Sequence, residues 1–256
     1  MIELKSITKK YGKQVVLNSF DLSLELDKNT LLIAPNGYGK STLLKIIIGA
    51  AFPNKGWVEL SKNKKYSFVN EVIEYPNIKI RDIVEAEIAL LENRELPETY
   101  LKLYHKWDLE EFLEKKFRKL SKGMKRKLAL SLSLLSDPDY LILDEPFEGL
   151  DIISRDILVD ILVERKRKGK GSIISTHILF DLSDKIDNAV FINNRKIFEF
   201  RDINKWSLRP RTEVAEGVKS INIKPKGEKI LIKNKDEAKV EDVVVNTYKY
   251  LYDENN

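Results

Sequence analysis

The 256-residue chain contains no cysteine, which excludes disulfides and thiolate metal sites. Neither charge sign is in large excess: 45 basic against 40 acidic residues leave a formal +5. The two signs are mixed through most of the sequence, so composition makes no case for nucleic acid as a partner. Long apolar runs are also missing. No stretch approaches the roughly 18 apolar residues of a membrane span. The first residues, Met1-Ile-Glu-Leu-Lys-Ser6, carry an early acid and no apolar core of signal-peptide length. The expectation is a cytoplasmic chain that reaches any membrane through a partner. No internal repeat or low-complexity tract is present, and 43% apolar residues suffice for the core of one large or two small domains.

What is present centres on Ala34-Pro-Asn-Gly-Tyr-Gly-Lys-Ser-Thr42. The apolar run Thr30–Ile33 before it reads as a buried strand, and Ser41–Ile48 after it reads as a helix packed on a sheet. A glycine-rich turn at that junction points backbone N–H groups outward at a helix N-terminus, where they bind anions. Gly37 and Gly39 permit the tight path and the close approach of backbone to phosphate. Lys40 reaches the β- and γ-phosphates, and the Ser41 hydroxyl ligates Mg²⁺. Ala34 stands where such loops usually begin with glycine, which is tolerable if its φ is negative and costly if it is positive.

Before the loop, Ile2–Ile7 and Leu22–Leu26 alternate with period two and read as antiparallel strands, with a turn at Tyr11-Gly12. Tyr11 either stacks on a purine ring or covers a sheet edge. After the loop, Trp57–Leu60 and Tyr66–Asn70 read as strands, the second ending in a side chain that ligates a metal or holds a water. From Ile80 to about Lys116 the pattern is helical, with Ile83, Val84, Ile88 and Leu91 on apolar stripes and a break at Pro97. This is a helical insert on a mixed sheet.

Leu120–Lys127 opens a second strong helix that runs to Leu135, with Ser121 as its N-cap. It is a second anion-suited helix start, and the basic cluster Lys115–Lys127 either reinforces it or, as composition favours, is a solvated face. Tyr140–Leu143 is apolar on both faces and ends in Asp144-Glu145, where parallel sheets place ligands. Asp144 is suited to the Mg²⁺ shell and Glu145 to orienting or deprotonating the attacking water. A helix then runs to about Val163, and the basic stretch Glu164–Gly171 reads as its solvated C-terminal cap. His177 follows the buried strand Gly171–Thr176, either as a surface residue or as a donor to a γ-phosphate. Asn188–Ile192 and Lys196–Phe200 form a hairpin about an Asn193-Asn194 turn. Beyond about Arg209, two short strand candidates precede a helical face of Val240, Val243, Val244, Thr247, Tyr248 and Leu251.

Taken in order, these motifs resemble those of the ATP-binding subunits of ABC transporters over roughly residues 1 to 208. Tyr11 matches the base-stacking position, Ala34–Thr42 Walker A, and Asn70 the Q-loop place. Leu120-Ser-Lys-Gly-Met124 matches the signature, Tyr140–Glu145 Walker B, Gly149-Leu-Asp151 the D-loop, and His177 the switch histidine. The resemblance implies an α/β P-loop NTPase cassette with a RecA-like mixed-sheet core, an antiparallel β subdomain and a helical subdomain over about residues 78–136. Residues 209–256 would be a small C-terminal α+β extension. It implies ATP and Mg²⁺ as cofactors, with nucleotide bound by Tyr11 and by Asn36, Gly37, Tyr38, Gly39, Lys40, Ser41 and Thr42. Ser41, Asp144 and Asn70 would hold the metal, and Glu145 and His177 would be catalytic. Ser121, Lys122 and Gly123 would face the other subunit's γ-phosphate in trans, with Asp151 in the D-loop.

The implied partners are an integral-membrane permease and a second ATP-binding subunit, with the chain peripheral on the inner face of the cell membrane. Three positions depart from the family pattern. Ala34 stands in place of the first Walker A glycine. Lys122 replaces the signature's middle glycine, which is similar to exporter-like subunits, and Asn70 is one methylene shorter than the usual glutamine, with Glu71 as the alternative ligand. Two other readings compete. A soluble ABC-type ATPase of translation or DNA maintenance usually carries two cassettes or a long coiled coil, and this sequence has neither. Glu145 and His177 together argue against a regulatory switch that binds ATP without hydrolysis.

Overall fold

The computed structural model describes residues 1–70, 74–91, 95–176, 185–203, 206–210, 220–221 and 229–233. In chain order the elements begin with β1 (Ile2–Tyr11), β2 (Gln14–Leu24), β3 (Asn29–Ile33), α1 (Lys40–Ile47), β4 (Lys55–Leu60) and β5 (Tyr66–Val69). Next come α2 (Ile80–Ala89), α3 (Glu98–Lys106), α4 (Lys122–Leu132), β6 (Tyr140–Asp144), α5 (Ile152–Arg167) and β7 (Ser172–Thr176). The last are β8 (Asn188–Asn193), β9 (Lys196–Phe200), β10 (Trp206–Pro210), β11 (Ser220–Ile221) and β12 (Lys229–Lys233). Two compact units divide them: Met1–Leu24, Lys28–Glu59 and Ser175–Asn256 form the first, Glu25–Asp27 and Leu60–Ile174 the second.

In the first unit β1 pairs antiparallel with β2, in the order β2-β1-β4. β1 buries Ile2 and Leu4 and then Ile7, a spacing that strict alternation forbids. A bulge resolves it. Ser6 takes φ 52° and its N–H donates to Asp21 Oδ1 at 2.7 Å, which resets the face of every residue after it. A second irregularity, at Ser19 (φ 45°), breaks the alternation of β2. That is why the second strand runs from Gln14 to Leu24, although period two marked only Leu22–Leu26.

β3 and β8, both wholly buried, pair in parallel, and β9 returns antiparallel to β8 at the edge. The order here is β7-β3-β8-β9, with β7 contributing Ser175 and Thr176 to this unit. The hairpin turn is one residue later than expected: Asn193 pairs with Lys196, and Asn194 and Arg195 occupy the tip at φ 48° and 65°. Two positive φ values match the twist of the flanking strands, and asparagine tolerates the first of them. β10, β12 and β11 make a small antiparallel sheet, so the boundary expected after residue 208 falls inside β10. The helical face from Val240 to Leu251 lies outside the described residues.

In the second unit β5 and β6 pair in parallel, in the order β5-β6-β7. The helical insert is present as α2, α3 and α4. Ile80, Ile83, Phe117, Leu120 and Leu128 make its core, with Tyr75 packed edge-on against Phe117 at 5.4 Å. Pro97 is the N-cap of α3, its ring holding φ at −59°.

α5 corrects one expectation. It continues to Arg167, one turn past Val163, and Gly169 at φ 74° ends it. Its basic run is not a uniformly solvated cap, because Arg165 is only 1% exposed. Burial pushes the Arg165 guanidinium down to about 10. Nη2 donates to the Pro138 carbonyl, and Nη1 lies 3.8 Å from Asp137. Arg165→Ala should cost about 2–4 kcal/mol of unfolding free energy, from the void and the stranded carbonyl, and Arg165→Met clearly less. Urea titration of both variants checks this; an unchanged midpoint for Arg165→Ala would restore the solvated-cap reading.

Candidate nucleotide site

The phosphate loop lies in the first unit, between β3 and α1. Ala34 is buried and is absent from the described residues with positive φ, so its methyl imposes no backbone strain. Gly39 does need to be glycine: it sits at φ 100°, and a Cβ there would lie 2.9 Å from Val16 Cγ1 and 3.3 Å from Leu17 Cδ2. β2 thus walls the loop from behind. Gly39 is the N-cap of α1 and supplies no capping side chain, and the first α1 bond among the loop residues is Leu43 N–H to the Gly39 carbonyl at 2.9 Å. The first N–H groups of a helix have no carbonyl four residues back within it, so Ser41 and Thr42 turn theirs toward the loop.

Asn36, Gly37 and Tyr38 are exposed at the rim, whereas Lys40 is 6% exposed. Its Nζ donates to the Ala34 carbonyl at 2.8 Å and, more weakly, to Asn36 Oδ1 at 3.4 Å and the Pro35 carbonyl at 3.5 Å. A cation held by oxygens of the loop itself, beside first-turn N–H groups, fits a polyphosphate. Tyr11, in the same unit, is 52% exposed, with Lys9 Nζ 4.8 Å from its ring centroid.

The second unit carries the acidic pair. β6 is buried throughout and delivers Asp144, itself buried, at its C-terminal end. Glu145 follows at φ 48°, a left-handed conformation that costs a side-chain-bearing residue about 1–2 kcal/mol. A turn bond from Glu148 N–H to the Glu145 carbonyl, 3.1 Å, holds it there. The β5–β6 register ends at Val69 and Leu143, so Asn70 and Asp144 leave adjacent parallel strands at the same end. The Asn70 carbonyl accepts from Arg126 Nη1 at 2.9 Å. Glu71 and His177 lie outside the described residues.

The signature residues also lie in this unit. Ser121 caps α4, its Oγ accepting from Met124 N–H at 3.2 Å. Gly123 packs backbone to backbone: a Cβ on it would come within 2.6 Å of the Gly149 carbonyl oxygen. Lys122 pairs with Glu148, and Lys127 with Asp151 at 3.5 Å. Asp151 caps α5 through Ser154 N–H at 2.8 Å and Ser154 Oγ at 2.9 Å. The Ser154 main-chain N–H, then its hydroxyl and Lys127, hold the Asp151 carboxyl below the usual carboxylate range.

Ser121, Lys122, Gly123 and Asp151 are thus brought together. Sequence reasoning missed Glu148 as the partner of Lys122, and missed Arg126, whose basic cluster composition assigned to solvent. The available signal was the period of α4, which puts Arg126 on the buried side with Leu130. Gly123→Ala should push the start of α4 off the Gly149 carbonyl, costing about 1–3 kcal/mol of stability. It should cost at least about tenfold in ATP turnover as well; wild-type turnover and melting temperature would contradict the close packing.

The chain is similar to known proteins over most of its length. The profile described as "ABC transporter" matches residues 17–148. The lantibiotic transport ATP-binding protein SrtF of Streptococcus pyogenes is 33% identical over 205 residues, covering 77% of this chain and 89% of that protein. The zinc import ATP-binding protein ZnuC of Wigglesworthia glossinidia brevipalpis is 32% identical over 211 residues, covering 82% and 90%. A solved structure of an ATP-binding subunit of an ABC transporter superposes with a TM-score of 0.70 at 27% identity, covering 80% of this chain and 92% of that one. On these likenesses the chain belongs to the ABC transporter family, as an ATP-binding, ATP-hydrolysing subunit.

Proposed function

We propose that this ATPase powers a separate integral-membrane permease that exports a peptide, drug or lipid-like molecule, and that it works as a pair with a second ATP-binding subunit. The likeness to the lantibiotic transport protein over 89% of that protein's length carries the peptide reading, and 30% identity over 212 residues to a Nod factor export ATP-binding protein of Burkholderia orbicola carries the direction. The lysine at position 122 supports the same branch. The subunit then sits peripherally on the inner face of the membrane, held by the permease. Among the described residues no helix is long and apolar enough to cross a membrane.

In this reading Lys40 and the first-turn N–H groups of α1 bind the β- and γ-phosphates, and Tyr11 stacks on the base. Ser41, Asp144 and Asn70 are oxygen donors suited to Mg²⁺, which typically takes one or two carboxylates plus substrate phosphates. When bound, Mg²⁺ would neutralise charge on the terminal phosphates. Glu145 orients and deprotonates the attacking water, and His177 donates to the γ-phosphate. Ser121, Lys122 and Gly123 act in trans on nucleotide held by the second subunit, with Asp151 shaping that face.

Copurification from membranes tests the pairing with a permease: a partner with several apolar spans is expected. Recovery only with ribosomes or free in solution would overturn it. Inside-out vesicles then test direction. ATP-dependent accumulation of cargo in the lumen supports export, and ATP-dependent loss from it supports import.

A further inference from the structure

Arg126 lies on α4, five positions after the Ser121 cap, and is 4% exposed. A guanidinium at that depth requires oxygen partners, because desolvation of an unpaired charge costs more than folding supplies elsewhere. Nη1 donates to the main-chain carbonyl of Asn70, 2.9 Å away. Asn70 is the first residue beyond β5, and the β5–β6 pairing in parallel through Val69 and Leu143 brings it level with Asp144. This bond joins the helix capped by Ser121 to the backbone from which the Asn70 side chain starts.

We propose that Arg126 is a positioning residue for the Mg²⁺ shell. Its grip on the Asn70 carbonyl sets the origin of the Asn70 carboxamide beside Asp144, and ties that origin to the helix capped by Ser121. This rests on the reading of Asn70 and Asp144 as metal donors. Asparagine has a single methylene before its amide, so the side chain has little reach with which to correct a misplaced backbone. A long side chain tolerates a loose main chain there; a short one does not.

The test is titration of the full chain with ATP, with Mg²⁺ and in EDTA, which separates the gain in affinity due to metal from nucleotide binding itself. Arg126→Met should reduce that gain about tenfold while leaving EDTA affinity within about twofold, since the lost bond acts on the metal shell alone. Arg126→Lys, which keeps one charged donor without the fork, should reduce it about threefold. Asn70→Ala should lose the same gain, and the double variant with Arg126→Met should be no worse than Asn70→Ala, because the two residues act as a unit.

If Arg126→Met does not fold, Arg126→Lys carries the test, and an unchanged metal gain in it overturns the proposal. If both Arg126 variants keep the gain while Asn70→Ala loses it, positioning by Arg126 is wrong and the metal role of Asn70 stands. If Asn70→Ala keeps the gain, the metal reading of Asn70 fails first. A fall in EDTA and Mg²⁺ affinities by the same factor marks a merely structural arginine.

Discussion

Glu145→Gln is expected to bind ATP about as tightly as the parent chain and to hydrolyse it about 100- to 10,000-fold more slowly, the range a positioned general base contributes. The amide keeps the size of the side chain and its hydrogen-bonding reach. It cannot accept a proton. The turn that holds residue 145 at φ 48° is made by main-chain atoms, the Glu148 N–H and the 145 carbonyl, so the substitution leaves it in place. Binding and chemistry are thereby separated at one atom pair. ATP should accumulate uncleaved and trap a dimer visible by light scattering. Turnover near the parent rate would remove Glu145 from the chemistry and with it the assignment of the β6 end.

Lys40→Ala should fail at the earlier step. The ammonium is the buried cation of the loop, and a charge-assisted hydrogen bond to phosphate is worth about 1.5–3 kcal/mol. ATP affinity should therefore fall roughly 10- to 100-fold. The same ammonium ties together the Ala34 carbonyl, the Pro35 carbonyl and Asn36 Oδ1 without nucleotide, so the variant also loosens the loop. Direct titration reads the binding loss, and unfolding curves show whether the fold is intact. An unchanged affinity in folded Lys40→Ala would sink the phosphate-loop reading.

The contrast between these variants follows from features that were local in the sequence. A strand, a glycine turn and a helix start are adjacent in the chain, so Ala34–Thr42 is legible without knowing its neighbours. β6 is legible for a similar reason: four apolar residues in a row, Tyr140–Leu143, followed by two acids have few other readings. The Ser121 cap was legible from its hydroxyl and the helix behind it.

Tertiary contacts were not legible. Arg126 and Arg165 both sit in basic runs that composition assigns to solvent, yet Asn70 lies 56 positions from the first and Pro138 lies 27 from the second. Nothing in a periodicity window reports such partners. The irregularity at Ser19 erased the alternation that would have shown all of β2, and the bulge at Ser6 did the same to β1. The hairpin tip moved by one residue because two positions must take positive φ, a demand set by strand twist. The close approach of Gly123 to the Gly149 carbonyl was not legible either, because it joins two segments that are apart in the chain.

The loop of Lys40 on one copy and the capped helix of Ser121 on another are expected to complete a single ATP site. Mixing Ser121→Arg subunits with Lys40→Ala subunits, with no parent chain present, tests this claim. Each variant alone lacks one half of every site, so each alone should be nearly inactive. The mixed dimer contains one site with both halves intact. ATPase activity should return on mixing and rise with the fraction of mixed dimer; full activity of Ser121→Arg alone, or none in the mixture, would contradict the claim.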